Sequence, residues 1–219
     1  MAITLSTGVS VFVAKTYAPK LDFSAASNSA VGGNCALTVV GSTIVAGDFV
    51  EVTSGWGRLN QRVVRAGAGT SATSLVLEGV DTSDTTKYPA LTGVGSVRKV
   101  LTWSEITQLK TISTSGGEQQ YADITAINDV VARQMPTTRG AVSVSLEVFD
   151  DPTLPYFADV IAADDSRTPY GLRMRFANGS VTVANAYWSL TRVPNIATNE
   201  AMTTNISLSF AAEPLRYAA

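Results

Sequence analysis

The sequence predicts a mainly β protein: a β-sandwich with one flanking α-helix, plus an inserted small β-barrel-like domain. Three observations predict it. Short runs in which apolar and polar residues alternate, the period of two that puts apolar groups on one face of a strand, recur along the chain. Glycines and Ser/Thr/Asn clusters punctuate these runs at the spacing of small sheets and barrels. Helical spacing stands out once, after Asp150-Asp151-Pro152.

Composition agrees with an assembling β protein. A chain of 219 residues holds one large or two small cores, so a single domain with a sizeable insertion is expected. Only 16% of residues are charged while 45% are hydrophobic, less solvated surface than most monomers need. The net charge of −2 lacks the basic footprint with which nucleic-acid binders displace counterions from phosphates, so sequence-specific DNA binding is not expected. Cys35 is the one cysteine, which rules out an intramolecular disulfide and points to a buried, inert thiol. No segment approaches the roughly 18 apolar residues of a spanning helix, so no membrane partner is expected. The start of the chain lacks a positive n-region and a long apolar h-region, which implies cytoplasmic synthesis and assembly.

In chain order, Val9, Val11 and Val13 alternate with Ser10 and Phe12 in a first strand, its face blurred by Phe12. Residues 24–34, an Ala/Ser/Asn/Gly run, have too few large apolar groups to pack and read as a linker. Strands are expected over residues 37–40, 49–53, 62–65 and 75–77, with Gly47-Asp48 ahead of Phe49 similar to a strand start in SH3-like barrels. Residues 97–100 return the chain to the main domain. There the pattern predicts a strand over residues 103–113, a turn at Gly116-Gly117, and a long bulged or edge-exposed strand over residues 120–134, where alternation is imperfect. Val142, Val144, Leu146 and Val148 against Ser143, Ser145 and Glu147 form the cleanest alternation, a core strand with one buried face.

The helix is expected to be capped by Asp150 or Asp151, with Pro152 and Pro155 near its start, where a missing N–H costs nothing. Leu154, Phe157, Val160 and Ile161 would form its apolar stripe, and Asp164-Asp165-Ser166 would end it. Leu172, Met174 and Phe176 alternate with Arg173 and Arg175 in the next strand, and Asn178-Gly179 fits a type I′ hairpin turn.

The residues for catalysis are missing. Without histidine there is no Ser-His-Asp or Cys-His arrangement and no histidine metal site, and one cysteine excludes zinc knuckles. No phosphate-binding G-x-x-x-x-G-K-[S/T] is present. No catalytic residue, metal or cofactor is expected, and the chain reads as a non-enzyme. Asp150-Asp151 and Asp164-Asp165 match neither a calcium loop nor a glycosidase dyad and read as a helix cap and a solvated terminus. Trp56, between Gly55 and Gly57, would either contact a partner or glycan or pack within the insertion; Trp103 and Trp188 read as core.

Several motifs occur in a familiar order: Arg173-Met-Arg-Phe176-Ala-Asn178-Gly-Ser180, then Ala186-Tyr-Trp-Ser189-Leu190, then Ser209 followed by Pro214-Leu-Arg-Tyr217. With Arg133-Gln-Met-Pro136 and Asp150-Asp-Pro-Thr-Leu-Pro155 ahead of them, the chain resembles the major tail tube proteins of long, non-contractile-tailed bacteriophages. The resemblance covers residues 102–217 well and residues 1–23 more loosely. It implies a tail-tube β-sandwich domain over residues 1–23 and 100–219, with residues 24–99 as an inserted small β domain on the tube exterior.

What the resemblance implies is structural: six copies close into a ring, rings stack axially, and inner strands line a channel through which DNA is ejected into the host. The implied partners are further copies of the chain and the tail terminator, tape measure and distal tail proteins, with assembly in the host bacterial cytoplasm and residence in the virion tail. DNA would pass without specific binding. A lumen carrying carboxylates avoids the affinity that lysines would create, and the candidate lumen-facing acids are Glu118, Asp123, Asp129 and Glu147, each equally readable as part of a solvated strand face. The loop of residues 111–119 would suit either ring stacking or a plain hairpin connection. The alternative is a carbohydrate- or surface-binding β-sandwich that forms no tube, with Trp56 and Tyr88 as platforms.

Overall fold

The computed structural model describes residues 8–29 and 32–219; residues 1–7, part of the segment expected to lack a secretory signal, and Ala30-Val31 of the expected linker lie outside them. β1 (Ser10–Tyr17) buries Val11 and Val13, as alternation requires, and turns Phe12 to the other face, where the Arg173 guanidinium lies over its ring at 4.3 Å. β2 (Leu21–Ala26), β3 (Cys35–Val39), β4 (Phe49–Ser54), β5 (Arg62–Arg65) and β6 (Ser74–Leu77) follow as short strands. β7 (Gly95–Ile106) is the longest, and β8 (Leu109–Ser115), β9 (Gln119–Asp123), β10 (Gln134–Arg139) and β11 (Ser143–Phe149) lead to the helix α1 (Pro155–Ser166). β12 (Tyr170–Arg175), β13 (Val181–Leu190), β14 (Thr203–Phe210) and β15 (Leu215–Tyr217) complete the chain.

The protein is mainly β, with one helix among the described residues and a large antiparallel sheet. Its main path runs β6-β3-β2-β7-β1-β12-β13-β14-β11-β8, while β4 joins β7, β5 joins β4, and β15 joins β13. Among the described residues β9 and β10 pair only with each other. Apolar residues gather in two buried clusters. One contains Phe23, Leu37, Val50, Trp56, Leu59, Leu75 and Leu77; the other contains Val11, Val13, Val144, Leu146, Leu172, Trp188, Ile206 and Leu208 beneath Tyr156, Val160 and Ala163 of α1. β7 serves both, because its first half pairs β2 and β4 and its second half pairs β1. At Gly95, where β7 begins, any Cβ would stand 2.0 Å from the Thr53 carbonyl oxygen, so only glycine admits this close pairing with β4.

A third, small cluster of Val63, Val183 and Tyr217 joins the two. The Tyr217 hydroxyl accepts from the Arg65 amide at 2.8 Å and donates to the Glu78 carbonyl at 3.2 Å. Arg98 lies over the Tyr17 ring at 3.9 Å while forming a two-pronged ion pair with the buried Glu51, and the Tyr17 hydroxyl accepts from the Gly171 amide. Beyond β5, Ala66 bridges Leu77, with bonds from the Gly67 amide to the Val76 carbonyl and from the Glu78 amide to the Arg65 carbonyl.

Five local expectations change. The segment of residues 24–34 is not wholly a linker: β2 reaches Ala26, and Asn28 donates to the carbonyls of Thr82 and Tyr88. Residues 103–113 are not one strand, because Gln108 takes φ 59° and divides β7 from β8. Residues 120–134 are not one strand either. Thr125 and Asp129 fold them back, Asp129 accepting from the Ala126 amide and the Thr125 hydroxyl from the Arg133 amide, to give a β9–β10 hairpin. The helix is capped by neither aspartate. Its N-cap is Leu154 with Pro155 next; Asp151 instead accepts from the Thr153 amide and hydroxyl, and Asp150 accepts from Thr204, while the expected stripe of Leu154, Phe157, Val160 and Ile161 does pack on the core and is joined by the buried Tyr156 and Ala163. The turn after β12 is not type I′: only Gly179 has positive φ, and the Gly179 amide bonds the Phe176 carbonyl, so the loop is a three-residue turn closed by a glycine bulge.

Candidate assembly surfaces

Three surfaces are open on this fold. The first is the β9–β10 arm. A two-stranded hairpin without a third strand or a core is marginal in water, yet this one carries Tyr121, Ile124, Ile127, Val130, Val131 and Met135, all exposed. Val130 is 99% exposed and Ile127 entirely so. The tip is well formed all the same: Asp123 accepts from the Thr125 amide at 2.8 Å and from its hydroxyl at 2.6 Å, which holds its carboxyl below the usual range. An apolar tip left exposed by the described residues is the kind of surface that contacts a partner.

The second surface is the outward face of β8, β11, β14 and β13. Period-two alternation puts Val144, Leu146, Val148, Ile206 and Leu208 on the core side and leaves Ser143, Ser145, Glu147, Ser207 and Ser209 facing out. Lys110 donates to Glu147 at 3.0 Å, and that bond holds the Glu147 carboxyl below its ordinary value. Among the described residues β8 pairs only with β11, so its other edge offers unpaired backbone groups. The third surface is the loop of residues 191–202, where Val193, Ile196 and Met202 are exposed beside the Arg192 pair with Asp164 and Asp165.

The four candidate acids are not brought together. Glu147 lies on the ordered sheet face. Glu118 is exposed at the root of the arm, where its carbonyl accepts from the Gly140 amide, and Asp123 and Asp129 belong to the folded-back part of the arm. The loop of residues 111–119 is largely β8, and only Gly116 to Glu118 turn. Trp56 and Tyr88 are no platform: Trp56 is 1% exposed, packs edge-on against Tyr88 at 5.3 Å, and donates from Nε1 to the Pro89 carbonyl at 2.7 Å. The sequence carried the arm's signal in Ile124, Ile127, Val130 and Val131, an apolar set spaced by threes and fours that does not fit the alternation of a strand. Among the described residues no group of His, Cys, Asp and Glu side chains is placed to hold a metal.

Among the described residues, a free edge at β8 and an exposed apolar hairpin on a mainly β fold are surfaces suited to assembly. The sequence matches the family of phage tail tube proteins (TTP) over residues 54–219, most of its length, and the chain belongs to that family. It is a structural protein of the phage tail. Among solved structures it is similar to a chain in the cryo-EM structure of the anti-feeding prophage (AFP) baseplate, at 10% identity and TM-score 0.38, over 54% of this chain and 86% of that one. It is also similar to a chain in the anti-feeding prophage tube-terminating cap, at 18% identity and TM-score 0.34, over 49% of this chain and 79% of that one. No curated protein sequence matches it.

Proposed function

We propose that the protein closes into rings of six, that the rings stack into the tail tube, and that the tube conducts DNA into the host at ejection. The observation that carries this reading is the arm: in a chain of the tail tube family, an ordered hairpin exposes an apolar tip that has no use in a monomer. Ring closure needs a heterologous contact whose rotation returns to the start, and stacking needs a second, axial one. The free edge of β8 suits the first, since unpaired strand groups template pairing with the next copy. The arm suits the second, in place of the loop of residues 111–119.

The six-fold count and the partner set, tail terminator, tape measure and distal tail proteins, follow from the family resemblance, as does assembly in the host cytoplasm. The chain has no enzymatic role in this scheme. Residues 1–23 and 100–219 form the tube domain, a β-sandwich flanked by α1. Residues 24–99 form the inserted unit on the exterior. A barrel-like form for that unit is supported by the bridge from Ala66 to Leu77, which links β5 to β6 and so joins the two ends of the β5-β4-β7-β2-β3-β6 path. Among the four acids, Glu147 is the bore candidate, because it alone lies on an extended sheet face. The test is negative-stain microscopy of concentrated protein with sedimentation across salt: rings and stacks are expected, and a monomer that persists with tail components present would count against the reading.

A further inference from the structure

We propose that Arg173 and Arg175, with the rings of Phe12, Phe49 and Trp103 beside them, receive the Glu200 carboxylate of the next copy in the tube, while Val193 and Ile196 of the same loop cover the rings. The inference rests on the tube reading above and adds a contact to those assigned to β8 and the arm. Arg173 and Arg175 stand two apart on β12 and so share the face opposite Leu172, with Phe12 of β1 directly beside Arg173. The Arg173 guanidinium lies 4.3 Å from the centre of the Phe12 ring, 4.8 Å from that of Trp103 and 5.8 Å from that of Phe49. Phe49 meets Trp103 edge-on at 6.0 Å, and all three rings are half-buried. Arginine and aromatic rings are the residue types that concentrate at the centres of protein interfaces.

What the pair lacks within the subunit is an anion. Among the described residues neither arginine makes a hydrogen bond or an ion pair, and the Nε of Arg173 is sealed from solvent without an acceptor. A guanidinium keeps its charge and brings five donors, so half-burying one beside a like charge is unfavourable until a carboxylate arrives. Burial first and Arg175 second hold the Arg173 pKa below its ordinary value, and Glu105, on the far side of Phe12, opposes them only at a distance. The ring faces attract the cation but leave its in-plane donors unused. The occupant follows from charge and from what must cover the rings. Among the described residues Asp22, Glu105, Glu118 and Glu200 are the carboxylates without a hydrogen bond or ion pair of their own. Glu105 belongs to the patch itself, and Glu118 lies at the root of the arm beside glycines. Glu200 sits in the loop of residues 191–202 with Val193 and Ile196, which are 74% and 75% exposed. That loop therefore carries both the charge and the apolar cover. The two patches differ, so the contact is head-to-tail, the kind that closes a ring or continues a stack.

The test mixes two single-cysteine variants, Arg175→Cys and Glu200→Cys; Cys35 is buried, so the introduced thiols are the reactive ones. A short bis-maleimide should join the two variants in co-assembled tubes, and should join neither variant to itself nor the dispersed subunits. Glu200→Arg lies on an exposed loop and should raise the concentration needed for assembly about 30-fold, with the melting temperature of the dispersed subunit unchanged. Arg175→Glu should do the same, and the two reversals together should recover most of the assembly, because they rebuild the pair with its signs exchanged. Tubes in which the mixed cysteines do not join, or a double reversal no better than the singles, overturn the inference. So does joining of Arg175→Cys to Asp22→Cys or Glu118→Cys in place of Glu200→Cys, which gives the site to another carboxylate. Wild-type tubes that hold duplex DNA and lose it in Arg175→Ser give the arginines to phosphate and also overturn it. A wild type that makes no tubes overturns the ring reading itself, and this inference with it.

Discussion

Replacing the arm's tip should separate assembly from folding. Ile127, Val130 and Val131 are exposed in the subunit and belong to none of the buried clusters, so serine at these positions removes nothing the monomer depends on. If the tip is buried between rings, each side chain contributes about 1.5–3 kcal/mol there. Ile127→Ser alone should then weaken stacking by about 2 kcal/mol, roughly a 30-fold rise in the concentration needed for assembly. The triple serine variant should not stack at any concentration where the wild type does, although ordering costs on association trim the simple sum. Sedimentation across a concentration series reads assembly, and thermal unfolding of the dispersed subunit reads the fold. Stacks from the triple variant at the wild-type concentration would refute the assignment. So would a large fall in the melting temperature of its dispersed form, which would make the tip part of the fold.

Three further outcomes concern the seam between the two clusters. Tyr217→Phe strands the Arg65 amide and the Glu78 carbonyl and should cost about 2–4 kcal/mol by denaturant unfolding; a loss too small to measure would mean that this clamp is not holding. Arg98→Met leaves the buried Glu51 charge unpaired and should cost about 3–5 kcal/mol at neutral pH. Burial already pushes the Glu51 carboxyl up, and more than Arg98 draws it down, so the loss should shrink as pH falls and Glu51 takes up a proton; a loss independent of pH would contradict this. Glu78 behaves oppositely. Its bonds to Arg65 lower its folded value below the ordinary 4.5, so its contribution is present above that pH and fades as pH falls through the folded value. Glu78→Gln should flatten that acid limb slightly, since a half-exposed pair contributes little.

Much of the sheet was legible because alternation fixes which side of a strand faces the core. Val144, Leu146 and Val148 lie buried as their spacing requires, and β5 spans the residues expected of it. Where local patterns met tertiary or side-chain bonding, legibility ended. Asp150 and Asp151 look like caps in sequence, but Thr204 and Thr153 take their oxygens. The Asn178-Gly179 pair suits two turn types, and only the bonds of Phe176 decide between them. Trp56 between glycines reads equally as a contact or as packing within residues 24–99, and what decides for packing is Tyr88 and Pro89, far along the chain. The arm's folding back depends on side-chain bonds from Thr125 and Asp129, which leave no periodic signal in the sequence. Ser143 and Ser145 on β11, and Ser207 and Ser209 on β14, alternate at period two in the sequence, but which of them lie side by side is set by register, a property of the folded sheet.

The central claim is that this chain builds a tube, and cryo-EM of particles grown from purified, concentrated protein tests it most directly. The account predicts six-fold rings in stacks, with β8 of each copy against its neighbour, the β9–β10 arm between rings and residues 24–99 outward. Particles that remain single subunits across concentration and salt, with tail components added, would contradict it.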